Sequence, residues 1–86
     1  MNPIADIKRF VLRALARTGG IPMPGDSLDA AVGQAVVPRP LHSDVSQAKR
    51  ELEQDGFIQG KRDDLDAELV TWTLTAKGVH KAGQLG

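Results

Sequence analysis

The sequence predicts a small α+β domain, mainly helical with one β-hairpin, in the order α-α-α-β-β-α. Three patterns carry that expectation. Apolar residues recur at three- and four-residue steps in separate stretches, which marks helices with one buried face. Segments rich in Pro and Gly divide those stretches. Toward the C-terminus Val70, Trp72 and Leu74 alternate with Thr71 and Thr73, the period of a half-buried strand.

The first helix is expected at about 3–18. Asn2 is a capping residue ahead of Pro3, whose fixed φ suits a first turn, and Ile4, Ile7, Phe10, Val11, Ala14 and Leu15 form one apolar face. Leu12 falls outside that face and reads as exposed. Thr18-Gly19-Gly20 stops the helix. Pro22 and Pro24 then hold "IPMPG" extended, with room for at most a very short strand near 21–23.

A second helix, about 27–36, is expected to be capped by Asp26-Ser27 and to turn Leu28, Ala31, Val32, Ala35 and Val36 inward. Gly33 costs it about 1 kcal/mol relative to alanine. "VPRP" breaks the chain. The third helix, about 42–55, has Ser43 or Asp44 as a cap and Gly56 as its stop. Strands at about 57–61 and 69–74 flank the polar loop "RDDLDA". Thr75 caps a short last helix, about 76–84, with Val79, Ala82 and Leu85 as its apolar residues.

Eighty-six residues, 41% of them hydrophobic and 26% charged, suit one globular domain with a single core. Phe10, Phe57 and Trp72 are the only aromatics, so the core is aliphatic and thin, and a homodimer that buries more apolar surface is expected. Trp72, in register with Val70 and Leu74, is assigned to the core. The absence of cysteine excludes disulfides and thiolate metal sites. The N-terminus has no apolar run of signal length, and no stretch approaches the roughly 18 apolar residues of a membrane span. A cytoplasmic protein without a membrane partner is expected. The formal charge is zero, which counts against a polyanion as partner.

Catalytic chemistry is not expected. Asp64, Asp66 and Glu68 alternate as in a calcium loop but lack its glycine turn and distal glutamate. His42 and His80 have no HExxH or cysteine partner, no Gly-rich phosphate loop exists, and no serine has a credible base and acid. The chain reads as a non-enzyme with no cofactor and no metal.

Two stretches carry a likeness. "DVSQAKRELEQDGFI" has the form Val-Ser, five residues, Leu, three residues, Gly and two apolar residues. It resembles the recognition helix and wing entry of winged helix-turn-helix proteins. "LTAKG", Leu74 to Gly78, is similar to the Leu-Thr-x-x-Gly step that ends the wing in many small bacterial regulators of that class. The resemblance spans nearly the whole chain. It implies a winged-helix fold, a dimer, and sequence-specific binding of double-stranded DNA through the third helix. Two departures stand out: "VVPRPL" is longer than the turn of the plainest helix-turn-helix, and the wing loop is acidic.

The third helix holds Lys49 and Arg50 against Asp44, Glu51, Glu53 and Asp55, an acidic sum. Its faces differ. Val45, Ala48 and Leu52 cluster toward the core, and Ser43, Gln47, Arg50 and Gln54 lie opposite, with Ser46 at the edge. Arginine can fork onto guanine, glutamine onto adenine, and serine can reach either base or phosphate. Ser43, Ser46, Gln47, Arg50 and Gln54 are therefore the base-contact candidates. Arg39, Lys61 and Arg62 are phosphate-contact candidates, joined by the stripe Arg9, Arg13 and Arg17 on the first helix.

The loop from Lys61 to Glu68 counts the other way, because Asp63, Asp64, Asp66 and Glu68 repel phosphate. It keeps a second reading open, a winged helix used for protein–protein contact without DNA. Leu12, Val79 and Leu85 are the candidate dimer surface.

Overall fold

The computed structural model describes residues 3–66 and 69–85, so the Asn2 cap and the acid Glu68 lie outside the described residues. The elements run α1 (Pro3–Arg17), β1 (Met23–Pro24), α2 (Gly25–Ala35), α3 (His42–Gln54), β2 (Ile58–Arg62), β3 (Val70–Leu74) and α4 (Ala76–Leu85). A very short strand does form, at Met23–Pro24 rather than 21–23, and joins a three-stranded antiparallel sheet of order β1-β3-β2. Met23 pairs with Trp72, and Gly60 pairs with the same tryptophan from the other side.

α1 is the centre of the packing, touching α2, α3, α4 and β3. That position corrects one expectation: Leu12 is 3% exposed, because a helix covered on several sides buries an arc wider than one stripe. Leu12 is thus removed from any dimer surface. The core is aliphatic, built from Ile7, Val11, Leu12, Leu15, Leu28, Val32, Val45, Leu52 and Ile58, with Ala14, Ala48 and Ala82. Phe10, Phe57 and Trp72 are only half-buried against it.

The start of α2 and the caps of α2 and α3 differ from those expected. α2 begins two residues earlier, behind Pro24, and no side chain caps it. Asp26 and Ser27 sit inside its first turn, where the Asp26 charge suits the helix dipole. The helix ends at Ala35, which is exposed, and Val36 turns extended and packs half-buried on the core. α3 starts behind Leu41, again without a side-chain cap. The Leu41 carbonyl takes the amides of Asp44 and Val45. Ser43 and Asp44 therefore lie within the first turn and do not cap it.

The other end of α3 is as written in the sequence. Gly56 adopts φ +82°, the Phe57 amide donates to the Leu52 carbonyl, and the Gly56 amide donates to Glu53, which is a Schellman stop. Thr75 does cap α4, accepting from the Gly78 amide at 3.1 Å. Its hydroxyl also donates to the Gly56 carbonyl at 2.6 Å, and its amide donates to the Phe57 carbonyl. One residue thus ties the start of the wing to its end.

α4 presses in at Gly78, where an added Cβ would overlap the Phe57 carbonyl oxygen. Gly78 and Ala82 are its buried residues, so Val79, one position round the helix, is turned outward and 60% exposed. Leu85 stays half-buried against the core.

Candidate nucleic-acid interface

The exposed side of α3 follows from its buried side. Val45, Ala48 and Leu52 are all within 5% of full burial, which fixes the rotation of the helix. Ser43, Gln47, Arg50 and Gln54 are consequently exposed and Ser46 is half-buried at the edge. Arg50 has no side-chain partner among the described residues. Gln47 donates to Glu51 at 2.8 Å.

The carboxylates beside this face are occupied. Glu51 accepts from Lys8 of α1 at 2.9 Å as well as from Gln47. The Lys8 bond, with that of Gln47 second, holds the Glu51 carboxyl below the ordinary glutamate range despite a smaller opposing effect of burial. Glu53 accepts the Gly60 amide at 3.3 Å, bridging α3 to the first wing strand. Neither acid is signalled as paired by sequence, since Lys8 lies 43 residues from Glu51.

Lys49 turns inward. Its ammonium meets Asp29 of α2 at 2.7 Å, and it lies 5.7 Å from the centroid of the Trp72 ring. Of the two cations on α3, only Arg50 is presented to solvent.

Arg39 lies over Gly33: a Cβ there would stand 3.4 Å from the guanidinium Nε. The glycine that weakens α2 thus leaves room for an arginine beside the start of α3. Arg39 shares this hollow with His42 and Asp29. His42, which sequence reading left without a role, is placed there by the first turn of α3.

Lys61 and Arg62 are exposed on β2, on the wing stem, where Asp63 and Asp64 adjoin them. Asp63 is structural. Its Oδ2 accepts the amides of Leu65 and Asp66, both at 2.9 Å, and so folds the loop tip. Leu65 at that tip is 98% exposed.

The α1 stripe faces elsewhere. Lys8 marks the side of α1 that meets α3, and Arg9, Arg13 and Arg17 lie about 100°, 140° and 180° round the helix from it. Arg9 pairs with Asp6 at 2.9 Å and Arg13 donates to the Leu85 carbonyl at 3.2 Å. The six basic candidates therefore lie on three separate elements: Arg39 beside the start of α3, Lys61 and Arg62 on the wing stem, and the stripe on α1.

No protein-family model matches the sequence, and no curated protein matches it. Solved structures do. A double mutant of Lactococcus lactis ZitR in apo form superposes with a TM-score of 0.69 at 21% identity, covering 94% of this chain and 55% of that one. A single mutant of ZitR gives 0.68 at 22%, covering 92% and 48%. A Bacillus cereus protein assigned as a MarR-like transcription regulator gives 0.66 at 19%, covering 93% and 52%. The chain spans about half the length of these structures. At such identities the likeness establishes the fold, which is a winged helix, as the two sequence stretches implied. Among the described residues no helix is long and apolar enough to cross a membrane.

Proposed function

We propose that this chain binds double-stranded DNA in a sequence-specific manner, as a small transcription-regulator-like winged helix. The observation that carries the reading is the α3 surface. It offers one unpartnered guanidinium, amides and hydroxyls, while the two acids that flank them are held by Lys8 and by the Gly60 amide. In this reading α3 lies in the major groove with Ser46, Gln47 and Arg50 toward base edges and Ser43 and Gln54 at the ends of the contact. Arg39, Lys61 and Arg62 take phosphates, and His42 stands beside Arg39 as a further donor. Two copies on one site double the contact, with Val79 of α4 as the apolar residue exposed for pairing. The named function of the Bacillus cereus neighbour, transcription regulation, agrees with this proposal.

The reading is tested by selecting from a random duplex pool at low salt. Enrichment of one motif, with affinity falling steeply as salt rises, is the expected result. No retention of any duplex at low salt removes the proposal. The second reading, a winged helix that contacts protein and not DNA, is favoured by one feature, the acidic wing tip with Leu65 fully outward. A stable protein partner that survives nuclease treatment, together with a failed DNA selection, supports it.

A further inference from the structure

Leu65 and the α1 stripe are the two conspicuous surface features that the DNA reading does not use. Leu65 is 98% exposed at the wing tip, so no described residue covers it. Asp64 precedes it, exposed and with no partner among the described residues, and Asp66 follows with charge of the same sign. The tip is an apolar knob set between carboxylates.

The outer side of α1 is its complement. Arg9, Phe10 and Arg13 line an open hollow with Val36 and Val37 from the end of α2. Phe10 and Val36 are half-buried beside Val37, which is 88% exposed, and the cations stand next to them, Arg13 donating to the Leu85 carbonyl and Arg17 one turn beyond. Asp6 lines the same hollow and is engaged by Arg9. A zero net charge is therefore divided into an acidic knob and a basic socket in different parts of one molecule.

We propose that the occupant of this socket is a second copy of the chain: Leu65 of one molecule seats against Phe10, Val36 and Val37 of the next, and Asp64 faces Arg9 and Arg13. The contact is heterologous. Each copy keeps a free knob at one end and a free socket at the other, so association continues beyond two unless the turn per copy closes a ring. The proposed contact uses none of the residues given to DNA in the proposed function and does not depend on DNA.

The chain has no cysteine, which makes site-directed crosslinking selective. Leu65→Cys and Val37→Cys proteins, mixed in equal amounts at low salt under mild oxidation, are expected to give the crossed 65–37 disulfide in excess of its random share. That excess should vanish in high salt, where exposed charges are screened. In sedimentation, Asp64→Arg and Arg13→Asp should each weaken self-association about tenfold, and their equimolar mixture should restore it, since each knob again meets a socket of opposite charge. Both substitutions are on exposed side chains, and circular dichroism verifies the fold. A purely random or self-linked disulfide pattern, a wild-type protein that stays monomeric to millimolar concentration, or charge reversals without effect would each overturn the proposal.

Discussion

Lys8 donates to Glu51 at 2.9 Å, joining α1 to the flank of α3 where an unpaired carboxylate would repel a phosphate. The pairing lowers the Glu51 pKa, with the Lys8 bond as the main cause and Gln47 second. A carboxyl whose folded pKa is depressed contributes stability above its ordinary pKa. That contribution is lost as pH falls through the lowered value. Glu51→Gln is therefore expected to lack this part of the acid-induced loss. The check is urea unfolding of both proteins from pH 6 downward, where the gap between wild type and variant should narrow as the medium becomes acid.

Gly78 and Gly83 lie in the same helix and should respond in opposite directions. A Cβ at Gly78 overlaps the Phe57 carbonyl, and Gly78→Ala must move α4 off the wing, at about 2–4 kcal/mol. Gly83 has nothing within 4 Å of such a Cβ. Gly83→Ala is expected to stabilise by up to about 1 kcal/mol through helix propensity alone. Chemical denaturation of the two variants measures both signs.

Gly60 is the cross-strand partner of Trp72, and its missing side chain is where the indole lies. An added Cβ would stand 2.8 Å from Trp72 Cζ3 and 3.2 Å from Glu53 Oε2. Gly60→Ala should displace the ring and strain the Glu53 link to the wing, lowering stability by about 1–2 kcal/mol. Since Trp72 is the sole tryptophan, its emission reports the displacement as a red shift.

Under the proposed DNA binding, Arg50 and Lys61 separate the two kinds of contact. Arg50→Ala is expected to relax preference at one or two base positions, at about 1–3 kcal/mol for the favoured sequence. Lys61→Ala should weaken all sequences alike and reduce the salt slope by about one. Binding isotherms on a selected duplex and a scrambled one, across a salt series, distinguish these outcomes.

Much of the fold was legible. The helix faces of α1 and α3, the Gly56 stop, the Thr75 cap and the alternating strand β3 all follow from local rules: side-chain period, backbone freedom at glycine, and short-range hydrogen bonding. The caps of α2 and α3 were not, because Ser and Asp near a break suggest caps, while here Pro24 and Leu41 carry the turn with backbone alone. Leu12 differs for another reason. It lies at the margin of an apolar stripe, and which margin is covered depends on how many neighbours a helix has and how closely they approach.

Of the candidate site, the residue types on the outer face of α3 were readable from 100° steps once Val45, Ala48 and Leu52 were taken inward. Their electrostatic setting was not, since charge summed along a helix says nothing about partners on other helices.

By itself the sequence determined a small, cysteine-free, mainly helical chain with a β-wing, an aliphatic core and a polar outward face on its third helix. These are consequences of composition and periodicity, which act locally. Only the tertiary structure decided that Lys8 covers Glu51, that Glu53 holds the wing strand, that Lys49 is withdrawn to Asp29, and that Gly60 and Gly78 are glycines for contact and not for flexibility. Each of these joins residues distant in sequence. The physical reason is the same throughout: charges and close approaches act over a few ångströms of space, and the distances between chain-remote groups exist only once the chain has folded.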